Sequence, residues 1–347
     1  MKFYICALVV TIFSCRGAIE LYIPSYDDRY SEDIQEARSN KNFFQEPADD
    51  LNYADYHYVG AHAAEKYPRF VTQYFLQEQT VPGMLSLGVR GLMLSVYNWL
   101  LYWSSIYQSG ISVVCSNPTK ETTVFRKNGK PLYQTLHYEM NRIFNFLKTH
   151  PKAVITIVLE DYADIAKVTR DLEQIFRKNN YDPLLKPADW APARDKGAWP
   201  TLGWMRSHNK RLVIFTQFHT EHTNLTWPMR HYFWQNNPGT IDPKLMCLEE
   251  KESLKDPHKK NRKLVSFSCI GGTATVPAAR AARGGSVCFE YENAKDFTQI
   301  CQQKSFAQGK AFNAYWADHV IREANNLARA GRKTVFDYVN EKNRSKK

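Results

Sequence analysis

The sequence predicts an α/β fold in which apolar strands alternate with amphipathic helices and close into a barrel, and three observations predict it. Short β-branched segments such as "AVITIVLED" (153–161) and "RLVIFTQF" (211–218) are apolar almost throughout, as strands covered on both faces are. Helix-patterned stretches separate them: residues 131–150 place Leu132, Leu136, Met140, Ile143 and Leu147 on one face. At 347 residues, with 44% hydrophobic and 23% charged side chains, the chain can bury one large core, and α/β barrels routinely reach this length as a single domain.

Taken in order, the first strand is "YHYVGAHA" (56–63), followed by helical material through 84–87. "VRGLMLSVY" (89–97) and "ISVVCS" (111–116) are further short strands. The helix over 131–150 ends at His150–Pro151, where proline forbids continuation, and 153–161 is the next strand. A helix over 164–179 precedes a proline-rich loop, "YDPLLKPADWAPARDKGAWP". A short helix at 201–209, the strand at 211–218 and strands "LVSFSC" (264–269) and "AFNAYWAD" (311–318) follow, with helices near 292–303 and 319–343.

The N-terminus, with Lys2 ahead of an apolar run from Phe3 to Phe13 and small residues to Ala18, has the form of a cleaved secretory signal over residues 1–17. A lipobox-like "IFSC" offers a lipid anchor on Cys15 as the minor alternative. A polar leader, 18–52, then precedes a single domain over 53–343 and a basic tail, 344–347. The expected location is extracellular. Loss of Lys2 and Arg16 takes the formal charge from +11 to +9, a surplus that favours anionic partners such as phospholipid headgroups. No zinc-finger spacing or nucleic-acid stacking motif accompanies it, so nucleic acid is not an expected partner. Beyond the leader stand Cys115, Cys247, Cys269, Cys288 and Cys301; the odd count leaves one thiol over, and the last four can form two bridges whose connectivity stays open. No close Cys/His cluster points to a metal.

Polar groups end the strands where a closed core would want none: His62, Ser95, Ser116, Glu160 with Asp161, Gln217 with His219, and Asp318 with His319. A cleft at the C-terminal ends of barrel strands is the expected site. The plainer role for His62 is a buried ring bonded to a carbonyl; for Asp318 it is a salt bridge, and for Glu160 and Asp161 it is the N-terminus of the next helix. The aromatic run at 96–108 contains Tyr97, Trp99, Tyr102, Trp103 and Tyr107. Packing against the next helix is its plainer role, and the basic surplus tips the reading toward a membrane rim of Trp99, Tyr102 and Trp103. "NLT" at Asn224 and "NRS" at Asn343 are glycosylation acceptors in a host with that machinery, the second in a tail.

Several segments share an order with one family: "YVGAHAA" (58–64), "MLSLGVRGLMLSVY" (84–97), "VVCSNP" (113–118), "LHYEMNRIFNFLKTHPKAVITIVLED" (136–161), "TLGWMRSHNKRLVIFT" (201–216), "ICQQKSFAQGKAFNAYWAD" (300–318) and "VFDYVN" (335–340). Together they resemble the phosphatidylinositol-specific phospholipase C X-domain-like phosphodiesterases over about residues 55–343. The resemblance implies a TIM-like, distorted β/α barrel and metal-independent phosphodiester cleavage without a cofactor. A His takes a hydroxyl proton, a cation stabilises the phosphorane, and a second His protonates the leaving group. It places the first His on His62, oriented by Asp318, and leaves Arg90 a structural salt-bridge role.

The resemblance also puts the remaining catalytic positions on residues unfit for them. Ala63 stands for an acid or amide, Met93 for an Asp, Ser95 for the Arg, and Ser116 for the second His. A serine hydroxyl is no general acid at neutral pH. Losing the cation removes about 3–4 kcal/mol of stabilisation if an oxyanion-hole donor is a fair guide. Acids for calcium are missing from the first two strands. Two functions follow: a protein of impaired catalysis that binds a phosphoinositide or glycosyl-phosphoinositide lipid, favoured by Met93, Ser95 and Ser116, or an active divergent phospholipase using His62 with His219 or His319 as acid. A non-catalytic extracellular structural protein is a third reading.

Overall fold

The computed structural model describes residues 43–64, 77, 79–99, 111–114, 126–127, 130–131, 134–236, 257, 262–269, 291–304, 312–317 and 320–345. The secretory signal, Cys15 and residues 18–42 of the leader lie outside these. Ser116, Tyr102, Trp103, Asp318 and His319 do too, and of Trp99 only the backbone is described.

Eight parallel strands form one curled sheet. In chain order they are β1 (Tyr58–Ala61), β2 (Gly91–Trp99), β7 (Ile155–Asp161), β8 (Leu212–Thr216), β9 (Trp227–Pro228), β10 (Phe233–Gln235), β11 (Leu264–Cys269) and β12 (Ala314–Ala317). Each pairs with its successor from β1 to β9 and from β10 to β12, and β12 returns to pair with β1, Ala61 opposite Ala317. The order is that of a β/α barrel entered at β10, the architecture expected. Among the described residues no ladder joins β9 to β10; rings pack across that seam instead, Phe215 edge-on to Phe233 at 4.9 Å and Trp227 to Tyr232 at 5.4 Å.

Several elements differ from the sequence reading. Residues 111–114 form β3 (Ile111–Val114), which is no barrel strand: it pairs antiparallel with the overhanging end of β2, Val96 opposite Val114, and continues to β6 (Gln134–Thr135). The pair β4 (Arg126–Lys127) and β5 (Lys130–Pro131) is a separate hairpin. Helix α2 (Leu136–Thr149) therefore starts later than residue 131, at Thr135, whose hydroxyl accepts from the N–H of Tyr138. Helices α1 (Val81–Ser86) and α3 (Ile165–Asn179) fall where expected, α3 opened by the Asp164 carboxylate on the Ala166 N–H. The proline-rich loop holds one short helix, α4 (Ala191–Lys196), before α5 (Leu202–Ser207). Strands β9 and β10, with α6 (Met229–Tyr232) between them, were unread, being too short for a periodicity. After α7 (Tyr291–Lys304), the helix expected over 319–343 is two. Helix α8 (Val320–Arg329) stops where Gly331 turns left-handed at φ +69°, and α9 (Val335–Arg344) restarts on a capping box between Thr334 and Asp337.

The last ten residues of the expected leader are packed rather than loose: Phe44 and Leu51 are buried, and Glu46 pairs with Arg90. Arg90, buried at the entry to β2, also donates to the carbonyls of Leu85 and Val89, the structural role expected of it. Asn343 does not lie in a tail. It is buried on α9, accepting from the His57 N–H at 2.9 Å and donating to the His57 carbonyl at 2.8 Å, which corrects its reading as an accessible acceptor; Asn224 is exposed.

The middle of the barrel is filled with rings. Trp316 lies over Gly60 and Gly91, where an added Cβ would sit 2.2 Å and 2.9 Å from the indole, so only glycine admits it. Tyr53, Tyr58, Trp199 and Phe215 are also buried, with the Tyr53 hydroxyl 2.7 Å from that of Thr156.

Candidate functional site

Side chains alternate along each strand, so register decides which share a face. Pairing of Met93 with Val158 and of Ser95 with Glu160 puts these four on one face of β2 and β7, and Val158 opposite Phe215 carries that face to β8. Gly60 opposite Gly91, with Trp316 against both, makes it the interior face. Its top is built in rungs: an apolar one of Met93, Val158 and Phe215, then a polar one of Ser95 and Glu160, then an aromatic one.

Met93 is buried, and its carbonyl accepts the N–H of Ala64 at 2.8 Å. The Ser95 hydroxyl donates to Oε2 of Glu160 at 2.5 Å. Where the family resemblance asks for a cation, the barrel thus holds a hydroxyl already given to a carboxylate. The aromatic rung continues the alternation two residues on: Tyr97 stacks on Tyr162 at 4.7 Å and 8°, and Tyr162 meets Phe218 at 4.9 Å. Tyr162 and Phe218 are 52% and 38% exposed, the two exposed large hydrophobic side chains among the described residues.

His62 is half-buried directly after β1, its N–H donated to the Ala317 carbonyl at 3.0 Å. Ala63 is left-handed, φ +46°, a conformation asparagine or aspartate adopts more readily than alanine. The acid or amide that the resemblance expects at this position therefore has a backbone reason as well as a chemical one.

Asp161 faces away from Glu160 and caps a loop, not a helix. Its Oδ1 accepts from Gln217 and Phe218, both at 2.9 Å, and Oδ2 from His219 at 3.0 Å. Burial pushes its carboxyl up from the ordinary value, and those backbone N–H groups pull part of the way back. Its auxiliary role is thus to hold the chain after β8, and with it His219, which lies three strands round from His62.

The structure joins Ser95 to Glu160 and Asp161 to the His219 backbone, and sets Ala64 against Met93. Ser116, Asp318 and His319, expected to share the site with His62, lie outside the described residues. Tyr162 and Phe218 escaped the sequence reading, although Tyr162 stands two residues beyond Glu160 on the same face.

The PI-PLC X 1 family model matches residues 118–269. Over those residues the chain is similar to the PI-PLC X family. Within that match lie Glu160, Asp161 and His219, whereas His62, Met93 and Ser95 precede it. An Arabidopsis thaliana PI-PLC X domain-containing protein, At5g67130, is 28% identical over 148 residues, which are 41% of this chain and 29% of that protein; the chain thus matches under a third of that relative's length. Among solved structures, the phosphatidylinositol-specific phospholipase C of Listeria monocytogenes superposes with a TM-score of 0.50 over 81% of this chain and 96% of that one, at 14% identity. That likeness establishes the barrel fold of this PI-PLC X-like chain.

Proposed function

We propose that this PI-PLC X-like protein binds phosphoinositide or glycosyl-phosphoinositide lipids at the C-terminal mouth of its barrel, outside the cell, with impaired turnover. The Ser95–Glu160 hydrogen bond carries the reading. A phosphorane needs positive charge beside it, and a carboxylate in the place of a cation raises the barrier. Ring hydroxyls, in contrast, can donate to Glu160. The exposed Tyr162 and Phe218 suit a headgroup zone, in addition to the rim expected at Trp99, Tyr102 and Trp103. Cys301 is disulfide-bonded, which supports an oxidising compartment. The active alternative keeps His62 as base, oriented by Asp318, with His219 or His319 as acid.

Vesicles of phosphatidylinositol in phosphatidylcholine separate the two. Co-sedimentation without release of inositol phosphate is the expected result. Release that is abolished in His62→Ala would establish the active alternative, and absence of binding would remove the lipid reading.

A further inference from the structure

The geometry points to Gln77 as a positioning residue that fixes His62; the functional importance of this rests on the lipid-site reading above. Gln77 is fully buried, and its side-chain amide joins three backbone points. Its Nε2 donates to the His62 carbonyl at 2.8 Å and to the Ala317 carbonyl at 3.2 Å, and its Oε1 accepts from the Val320 N–H at 3.3 Å. One side chain thereby ties the end of β1, the end of β12 and the first residue of α8. In sequence, the two outer anchors bracket Asp318 and His319.

The arrangement is specific for an amide. Two carbonyls require two N–H donors and the helix N–H requires an acceptor, a combination that Gln and Asn alone carry in one neutral group. Asparagine is a methylene shorter. A glutamate would face two carbonyl oxygens with no donor, and an apolar side chain would take this partner from all three backbone groups, leaving the Ala317 carbonyl with the His62 N–H alone. His62 is fixed from the other sides by its N–H on Ala317 and by the left-handed Ala63 followed by the Ala64 N–H on Met93. The ring is therefore carried on a backbone held at successive residues, and His62 as a residue is half-buried. A group that must be placed to within a fraction of an ångström needs such support.

The test uses the whole protein with Gln77→Met, and Asn340→Ala as a control for lost buried hydrogen bonds. Asn340 holds the Gln45 N–H and the Phe43 carbonyl, away from the mouth. The His62 ring is followed by NMR titration without ligand, and binding by co-sedimentation with phosphatidylinositol vesicles. Gln77→Met is expected to shift the His62 titration and weaken vesicle binding by about 10- to 100-fold. Asn340→Ala, at comparable loss of melting temperature, should change neither. A His62 titration that is the same in Gln77→Met and wild type overturns the proposal. Should wild type fail to bind vesicles, the lipid reading falls while the ligand-free titration still decides on Gln77. If Gln77→Met does not fold, glutamine-labelled wild type settles it: a slowly exchanging Gln77 amide pair whose shifts move in His62→Ala supports the proposal, and one that exchanges freely or ignores that change sinks it.

Discussion

Ser95 and Glu160 show how two side chains can change what a barrel mouth attracts. A carboxylate beside the site opposes any anion, by about 1 kcal/mol for a partly solvated pair. Glu160→Gln keeps an acceptor for Ser95 and removes that charge. It is expected to tighten binding to phosphatidylinositol vesicles roughly fivefold at low salt, measured by co-sedimentation; unchanged or weaker binding would show that Glu160 does not face the phosphate. Ser95 and Glu160 were legible in the sequence because strand ends are readable as the places where apolar runs meet polar groups. The bond between them was not, since register between strands 65 residues apart is a property of the sheet. Asn343 was misread for a related reason: its burial depends on His57, 286 residues away, and nothing in "NRS" carries that information.

Elements with capping chemistry and clear periodicity were found, and the exceptions have physical causes. Strand β3 has the composition of its neighbours but pairs antiparallel with an overhang of β2, and composition is blind to direction. The divided C-terminal helix was legible in Gly331 and Thr334, which are a stop and a start signal. Helix α2 bears the pH response expected at this scale. His137 sits in its first turn, where burial, and next the charge of Lys178, hold the imidazole below its ordinary value. The folded state then binds its proton less readily than the unfolded one. Its contribution is present above about pH 6.5 and is lost as pH falls through the lowered folded value. Melting temperature should fall on acidification across that window, and His137→Gln should flatten that part of the profile; an unaltered slope would refute the assignment.

For the whole molecule, closure depends on a void that two glycines leave for Trp316. Gly60→Ala would place a methyl carbon 2.2 Å from the indole, and Gly91→Ala one at 2.9 Å. Neither ring nor sheet can move that far without repacking, so Gly60→Ala is expected to destabilise by about 3 kcal/mol or more, and Gly91→Ala by less. Urea unfolding measures both, and Trp316→Leu in the Gly60→Ala background should recover part of the loss. A Gly60→Ala protein as stable as wild type would mean that Trp316 does not fill the barrel as described. The barrel class could be read from alternation and length, while the open seam could not, because β9 and β10 are held together by rings rather than by a ladder.

The first barrel strand is held by the last, and His57 just ahead of it is pinned by Asn343, 286 residues further on. During synthesis at about 5–20 residues per second, that partner emerges from the ribosome roughly 15–60 s after His57 does. Until β12 emerges, shortly before that partner, β1 has only β2 to pair with and leaves one edge unsatisfied. Nascent chains of this protein therefore expose a strand edge for that time, and the emergence of β12 is what ends the exposure.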